Sequence, residues 1–263
     1  MHHGKAVTVV FPAYNEEEGI VHAVETFLAL ESVDEVVVVD NNSRDRTGEL
    51  AAAAGARVVP EAAQGYGNAL RRGLAEAKGD LIVTAEPDGT FVAQDVKKLL
   101  AYSEDVELVL GTRTTREMIF AEANMGWFLR QGNWAVAKLL ELLFNTPSLS
   151  DCGCTMRLVQ REALERFVDR LTVESSHFLP EMVILARQTG TTMVEVPVSY
   201  HSRNGASKIT GNLKGTIEVG FNMVALIFAY RLGLRAPLIS WTSSSDRRRR
   251  WRGATRGSRR DGT

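Results

Sequence analysis

The chain has 263 residues, 44% hydrophobic and 24% charged, an ordinary balance for a soluble globular protein able to bury a large core. Its formal net charge of -1 conceals an asymmetry: eight arginines against two aspartates put residues 246–263 near +6 and leave the body near -7. Two cysteines, Cys152 and Cys154, exclude a disulfide framework, favour a reducing compartment and, with no histidine nearby, make a poor metal site.

Four short β-rich apolar runs open the sequence, AVTVVF (6–11), EVVVVD (35–40), ARVVP (56–60) and DLIVTA (80–85), with helical patterns between them at about 18–31, 46–54 and 66–78. This alternation predicts right-handed βαβ units and a largely parallel sheet with helices on both faces. Beyond Phe91 the alternation loosens. A helix is expected at 92–103, a strand at 106–111, a long helix at 124–144, a loop NTPSLSDCGCTMR, helices near 161–168 and 177–189, and a strand at 191–198. This half reads as a lid and acceptor platform built against the sheet. The N-terminus enters its first strand pattern without a basic, apolar leader, so no secretory signal is expected. The apolar run Val219 to Leu234 is too short and too interrupted to cross a bilayer.

In parallel sheets, ligands bind beyond the carboxyl ends of the strands. Each of the first four strands is followed there by an unusual polar cluster: PAYNEEE, DNNSRDRT, EAAQGYGNA and EPDGTF. In the last, Glu86 and Asp88 bracket Pro87. Neighbouring carboxylates repel unless something positive sits between them, and a divalent cation with a preference for hard oxygen ligands would supply that charge. The alternative is a pair of solvated carboxylates at a strand end.

Taken in order, FPAYNEE, VVVVDNNSRDRT, GYGNALRRGL, the acidic pair and SRNGASK resemble family 2 glycosyltransferases of the GT-A fold over about residues 5–232. DCGCTMR and EVPVSYHSRNGASK resemble more narrowly the dolichyl-phosphate mannose synthase branch, which transfers a hexose from a nucleotide sugar to a polyprenyl phosphate. The resemblance implies an α/β, GT-A (Rossmann-like), mostly parallel sheet over 1–211, an amphipathic or membrane-interface helix over 212–234, and a basic, disordered tail over 235–263. It implies an inverting, metal-dependent enzyme on the cytoplasmic face of a membrane, with Mg²⁺ or Mn²⁺, a GDP- or UDP-hexose donor and a polyprenyl phosphate acceptor. No nucleic-acid partner is expected, although the tail's charge alone would permit one.

By the same resemblance, Pro12, Tyr14, Glu16 and Asp40 hold the nucleoside, with Pro12 shaping the turn beneath it. Gly65 and Gly67 let backbone approach the donor. Glu86 and Asp88 stand at the family's DxD position and hold the metal, Asp88 directly and Glu86 directly or through water. Thr90 stands where the polyprenyl branch often has Gln. A phosphate acceptor is already an anion and needs no general base, so the chemistry instead requires cations. Arg113, Arg130, Arg157, Arg203 and Lys208 are the candidates, Arg203 and Lys208 contacting phosphate with Ser207 as a hydroxyl donor and Gly205 bending the loop.

Asp151 orients an arginine such as Arg157, serves as base for a hydroxyl acceptor, or caps its loop. Asp40 has a turn cap as its alternative. Glu181, on a mostly apolar helix, either pairs with a basic residue or faces solvent, whereas His177 and His201 read as structural. Two other functions stand beside lipid-linked transfer: a soluble hydroxyl acceptor, and a nucleotide-sugar-binding protein without turnover.

Overall fold

Along β1 (Val7–Ala13) and β2 (Glu35–Asp40), alternate residues go to opposite faces of the sheet, and both faces are buried. Val10, Val37 and Val39 enter one core, and Val9, Phe11, Val36 and Val38 enter the other. Strands apolar on both faces need helices on both sides, which is what the intervening segments supply. The computed structural model describes residues 1–118, 127–202 and 213–234. Helices α1 (Ile20–Leu28), α2 (Thr47–Ala53) and α3 (Tyr66–Glu76) alternate with β3 (Arg57–Pro60) and β4 (Leu81–Thr84), close to the predicted positions.

The second half is more than a platform against the sheet, because it contributes three of the seven strands. After α4 (Val96–Tyr102) come β5 (Leu108–Thr112), α5 (Trp127–Phe144), β6 (Arg157–Gln160), α6 (Arg161–Glu165), α7 (Phe178–Gln188) and β7 (Met193–Pro197). The order across the sheet is β3-β2-β1-β4-β6-β5-β7. β6, which the sequence pattern does not reveal, runs antiparallel to β4 and β5, while the other pairings are parallel. It returns the chain so that the loop before Arg157 lies at the carboxyl end of β4, with Thr84 opposite Arg157.

The last described helix, α8 (Leu213–Arg231), packs on α5 and α7. Met223, Leu226 and Ile227 are buried in the core on the α7 side, whereas Phe221 is 70% exposed. Its anchor is polar. Glu181, wholly buried on α7, accepts the Thr172 N–H at 2.9 Å, the Val173 N–H at 2.9 Å, the Thr172 hydroxyl at 2.7 Å and the Tyr230 hydroxyl of α8 at 2.8 Å. Glu181 therefore does not face solvent, and among the described residues it forms no salt bridge with a basic residue. Burial raises its pKa, opposed by these donors. Among the described residues no helix is long and apolar enough to cross a membrane.

Removing the acceptor leaves two buried backbone N–H groups unsatisfied, each worth about 1–3 kcal/mol. Glu181→Ala should therefore lower the urea-unfolding free energy by about 3 kcal/mol, and Tyr230→Phe by about 1 kcal/mol, since it removes one hydrogen bond and leaves the carboxylate satisfied by the others.

Candidate active site

The loops after β1 and β2 are laced together at the carboxyl edge of the sheet. The Asn15 N–H donates to Ser43 Oγ at 3.0 Å, the Arg44 N–H to Asn15 Oδ1 at 2.8 Å, and the Glu16 N–H to Thr47 Oγ1 at 2.8 Å. Half-buried Tyr14 and Glu16 are thereby fixed near Asp40, whose Oδ1 accepts the Ser43 N–H at 2.9 Å, so Asp40 does cap its turn. Pro12 is a correction: it is a buried residue of β1, opposite Val39, and shapes no turn. A central strand tolerates it because its missing N–H would point toward β4, where pairing has already ended at Val10.

The Gly65 segment is also reassigned. Gly65 has φ 144, a conformation that suits glycine, and its N–H donates to Asn41 Oδ1 at 2.8 Å. A Cβ there would stand 2.3 Å from the Glu174 carbonyl, and one on Gly67 would stand 2.3 Å from the Val173 carbonyl. The Gly67 N–H donates to the Glu174 carbonyl at 2.8 Å. These glycines thus bring α3 against the chain's own 173–174 backbone. What that approach delivers to the site is Tyr66, whose hydroxyl donates to Glu86 Oε1 at 3.0 Å and contacts Thr155 Oγ1.

Glu86 and Asp88 follow β4 directly. Asp88 is only 2% exposed, which overturns the reading of it as a solvated surface carboxylate. Its Oδ1 accepts the Thr90 N–H at 3.0 Å and the Thr90 hydroxyl at 2.6 Å. Thr90 therefore orients Asp88. Glu86 Oε1 accepts the Thr155 hydroxyl at 2.6 Å in addition to that of Tyr66. Burial and the adjacent Glu86 charge raise the Tyr66 pKa well above its ordinary value, so the phenol stays a donor. Two hard carboxylates, each oriented by hydroxyl donors, make a donor set that fits Mg²⁺ or Mn²⁺.

Asp151 proves to be the partner of Arg113, not of Arg157. Arg113 donates from Nε to Asp151 Oδ2 at 2.7 Å, from its second guanidinium nitrogen to Oδ1 at 3.0 Å, and from its backbone N–H to Oδ2 at 3.2 Å. The Gly153 N–H adds a bond to Oδ1 at 3.0 Å. Burial pushes the Asp151 pKa up, but Arg113 and these donors outweigh it and hold it below the ordinary value. The Arg113 guanidinium also lies 5.2 Å from the centre of the Tyr200 ring. Glu195 on β7, which sequence reasoning missed, accepts the Ser150 and Asp151 N–H groups at 2.8 and 2.9 Å and so fixes this loop. A carboxylate interrupting an apolar strand was the available signal.

Arg157 is a second correction. It is 1% exposed and donates to the carbonyls of Cys154 at 2.8 Å, Leu179 at 2.8 Å and Cys152 at 2.7 Å. It staples the 152–154 turn to α7, and burial lowers its pKa. The buried thiols of Cys152 and Cys154 are pushed up to about 12, chiefly by burial. Arg203, Gly205, Ser207, Lys208 and the Arg130 side chain lie outside the described residues. His177 contacts Ser175 Oγ at 2.6 Å and the His201 N–H donates to the Thr90 carbonyl at 2.9 Å. A separate group, His2, His3 and Glu104, gathers at the opposite edge of the sheet, with His3 Nε2 3.1 Å and His2 Nε2 3.4 Å from Glu104 Oε1.

The pattern that defines Glycosyl transferase family 2 matches residues 8–168, a span that runs from β1 through the acidic pair to β6 and α6. The chain belongs to that family. An uncharacterized glycosyltransferase of Mycobacterium bovis is 35% identical over 217 residues, covering 81% of this chain and 94% of that one. A dolichyl-phosphate hexose transferase of Haloferax volcanii is 29% identical over 87% of this chain and 96% of its own length. Among solved structures, glucosyl-3-phosphoglycerate synthase from Mycobacterium tuberculosis, in complex with Mn²⁺, UDP-glucose and phosphoglyceric acid, superposes with a TM-score of 0.68 at 22% identity, covering 91% of this chain and 84% of that one. The fold of this family 2 glycosyltransferase is therefore GT-A.

Breaking a buried ion pair from one side costs about 3–5 kcal/mol. Asp151→Asn should destabilise the protein by that amount in urea unfolding. In the wild-type protein the pair's contribution should be complete above about pH 4, the ordinary carboxylate range, and be lost as pH falls through the lowered folded-state value of Asp151.

Proposed function

We propose that this glycosyltransferase moves a hexose from a nucleotide-diphosphate sugar to a polyprenyl phosphate, with inversion at the anomeric carbon. The observation that carries the choice of acceptor is the state of Asp151. Both of its oxygens are engaged by Arg113, and its pKa is depressed. A hydroxyl acceptor would call on it as a base, whereas a phosphate acceptor arrives already ionised and calls on none. The resemblance of DCGCTMR and EVPVSYHSRNGASK to the dolichyl-phosphate mannose synthase branch supports the same choice, as does the similar dolichyl-phosphate hexose transferase.

In this reading Tyr14, Glu16 and Asp40 hold the nucleoside, in the loops that the Asn15 and Ser43 hydrogen bonds lock together. Asp88 and Glu86 hold Mg²⁺ or Mn²⁺, which when bound neutralises charge developing on the departing nucleoside diphosphate. Arg203 and Lys208, with Ser207, take the acceptor phosphate, because Arg113 is neutralised by Asp151 and Arg157 faces main-chain carbonyls. The acceptor phosphate oxygen attacks the anomeric carbon from the side opposite the diphosphate. Arg113 and Asp151 act by holding the loop that borders this approach.

A peripheral membrane location goes with a lipid acceptor. The exposed Phe221, Phe228, Leu232 and Leu234 at α8 and beyond it, and Trp134 and Leu142 on α5, are the residues that would enter the lipid surface. The basic segment 246–263 would add attraction to anionic headgroups.

The test is a transfer assay with radiolabelled GDP-mannose, UDP-glucose and UDP-N-acetylglucosamine, each with Mg²⁺ or Mn²⁺, offered undecaprenyl or dolichyl phosphate in detergent. Metal-dependent label in the lipid phase is expected. Label only in water-soluble products would replace the lipid by a soluble acceptor, and donor binding without any transfer would reduce the protein to a binding module. Asp88→Ala should lower transfer at least about 100-fold, equivalent to about 3 kcal/mol of transition-state stabilisation, with circular dichroism unchanged.

A further inference from the structure

Glu86 is held by two hydroxyls that arrive from opposite sides of the site. Tyr66 opens α3, and Thr155 lies in the loop that leads into β6. Both bond to the same carboxylate oxygen, Oε1, at 3.0 Å and 2.6 Å, and they also contact one another. This triangle is built, not incidental to flexible side chains. The Thr155 residue is 1% exposed, and its carbonyl accepts the Thr84 hydroxyl of β4 at 2.6 Å. The turn before it is stapled by Arg157, and the Met156 carbonyl after it accepts the Gly111 N–H of β5 at 2.8 Å. On the other side Tyr66 is flanked by two glycines whose close approach to the 173–174 backbone leaves α3 no freedom to withdraw.

The three contacts share the two hydroxyl protons, so Oε1 accepts at least one of them in every arrangement, and the pair fixes the direction of the Glu86 carboxylate. We infer that Tyr66 and Thr155 are positioning residues that hold the Glu86 carboxylate in one orientation toward the divalent cation of the donor complex, and thereby set the preference of the site between Mg²⁺ and Mn²⁺. The inference rests on the glycosyltransferase reading of the acidic pair. Mg²⁺ demands near-ideal octahedral placement of its ligands and Mn²⁺ is more tolerant, so loosening Glu86 harms Mg²⁺ binding more. Because Thr155 shares its loop with Asp151, the same contact links the order of the Arg113–Asp151 loop to the geometry of the metal ligand.

The experiment is a binding titration without sugar transfer. Mn²⁺ is followed by electron paramagnetic resonance in the presence of UDP, and Mg²⁺ by competition, for the wild-type protein, Tyr66→Phe, Thr155→Val and Thr155→Ser. Outer-shell partners of metal ligands typically contribute 10–100-fold to affinity. The expected result is Mn²⁺ affinity about tenfold weaker in Tyr66→Phe and Thr155→Val, a larger loss for Mg²⁺, and recovery in Thr155→Ser, which keeps the hydroxyl. Wild-type affinities and an unchanged Mn²⁺ to Mg²⁺ ratio in Tyr66→Phe and Thr155→Val, whatever their melting temperatures, would overturn the inference while leaving the metal site in place. Failure of the wild-type protein with UDP to bind Mn²⁺ at all would instead remove the metal reading on which it stands.

Discussion

Asp88 is a carboxylate almost wholly removed from water at the end of a central strand, and the surrounding structure is organised to permit that. A buried carboxylate is costly unless donors are directed at it. Thr90 supplies two of them, through its N–H and its hydroxyl, two residues along the same loop. The loop is in turn pinned by the His201 N–H on the Thr90 carbonyl and by the bridge between Phe91 and Tyr200. The acidic loop after β4 and the segment after β7 are thus one structure, although more than a hundred residues separate them. The loop after β4 and the segment after β7 come to one edge because β1, β4, β5 and β7 run parallel, with β6 as the return strand.

Arg113, half-buried, and Arg157, buried, show a division of labour that formal charge alone does not convey. Arg113 and Asp151 neutralise each other and fix the loop that borders the site. Arg157 holds three main-chain carbonyls and ties that loop to α7. Removing these two arginines from the pool of substrate-binding cations sharpens the functional reading. In the proposed reading, recognition of an anionic acceptor falls to Arg203 and Lys208, and Asp151 has no capacity to act as a base while its ion pair persists. Glu181 extends the same logic outward, since a buried carboxylate fastens α8, the helix with the exposed aromatic residues, to the backbone at 172–173.

The alternating half of the fold was legible in the sequence because each strand there is a run of apolar residues bounded by turn formers, and each helix has one apolar face. β6 was not legible: it has four residues, begins with an arginine and follows a loop rich in Gly, Cys and Thr. An arginine reads as surface until its three carbonyl partners are known. The acidic pair could be picked out because two carboxylates around a proline are unusual, and the burial of Asp88 became visible only in the fold. Gly65 and Gly67 were recognised as special, but whether their small size admits a ligand or the chain's own backbone depends on residues 173–174, far away in sequence. Tyr66 and Thr155 carried no signal of their own, since a hydroxyl that orients a carboxylate does so only through the tertiary contact.

The measurement that tests the central assignment most directly is the anomalous scattering of Mn²⁺ in crystals of the protein soaked with UDP. The account predicts a single strong peak within coordination distance of Asp88 and Glu86, with UDP electron density running from it toward the loop of Tyr14 and Glu16. A peak elsewhere, or UDP bound with no metal beside Asp88, would contradict it.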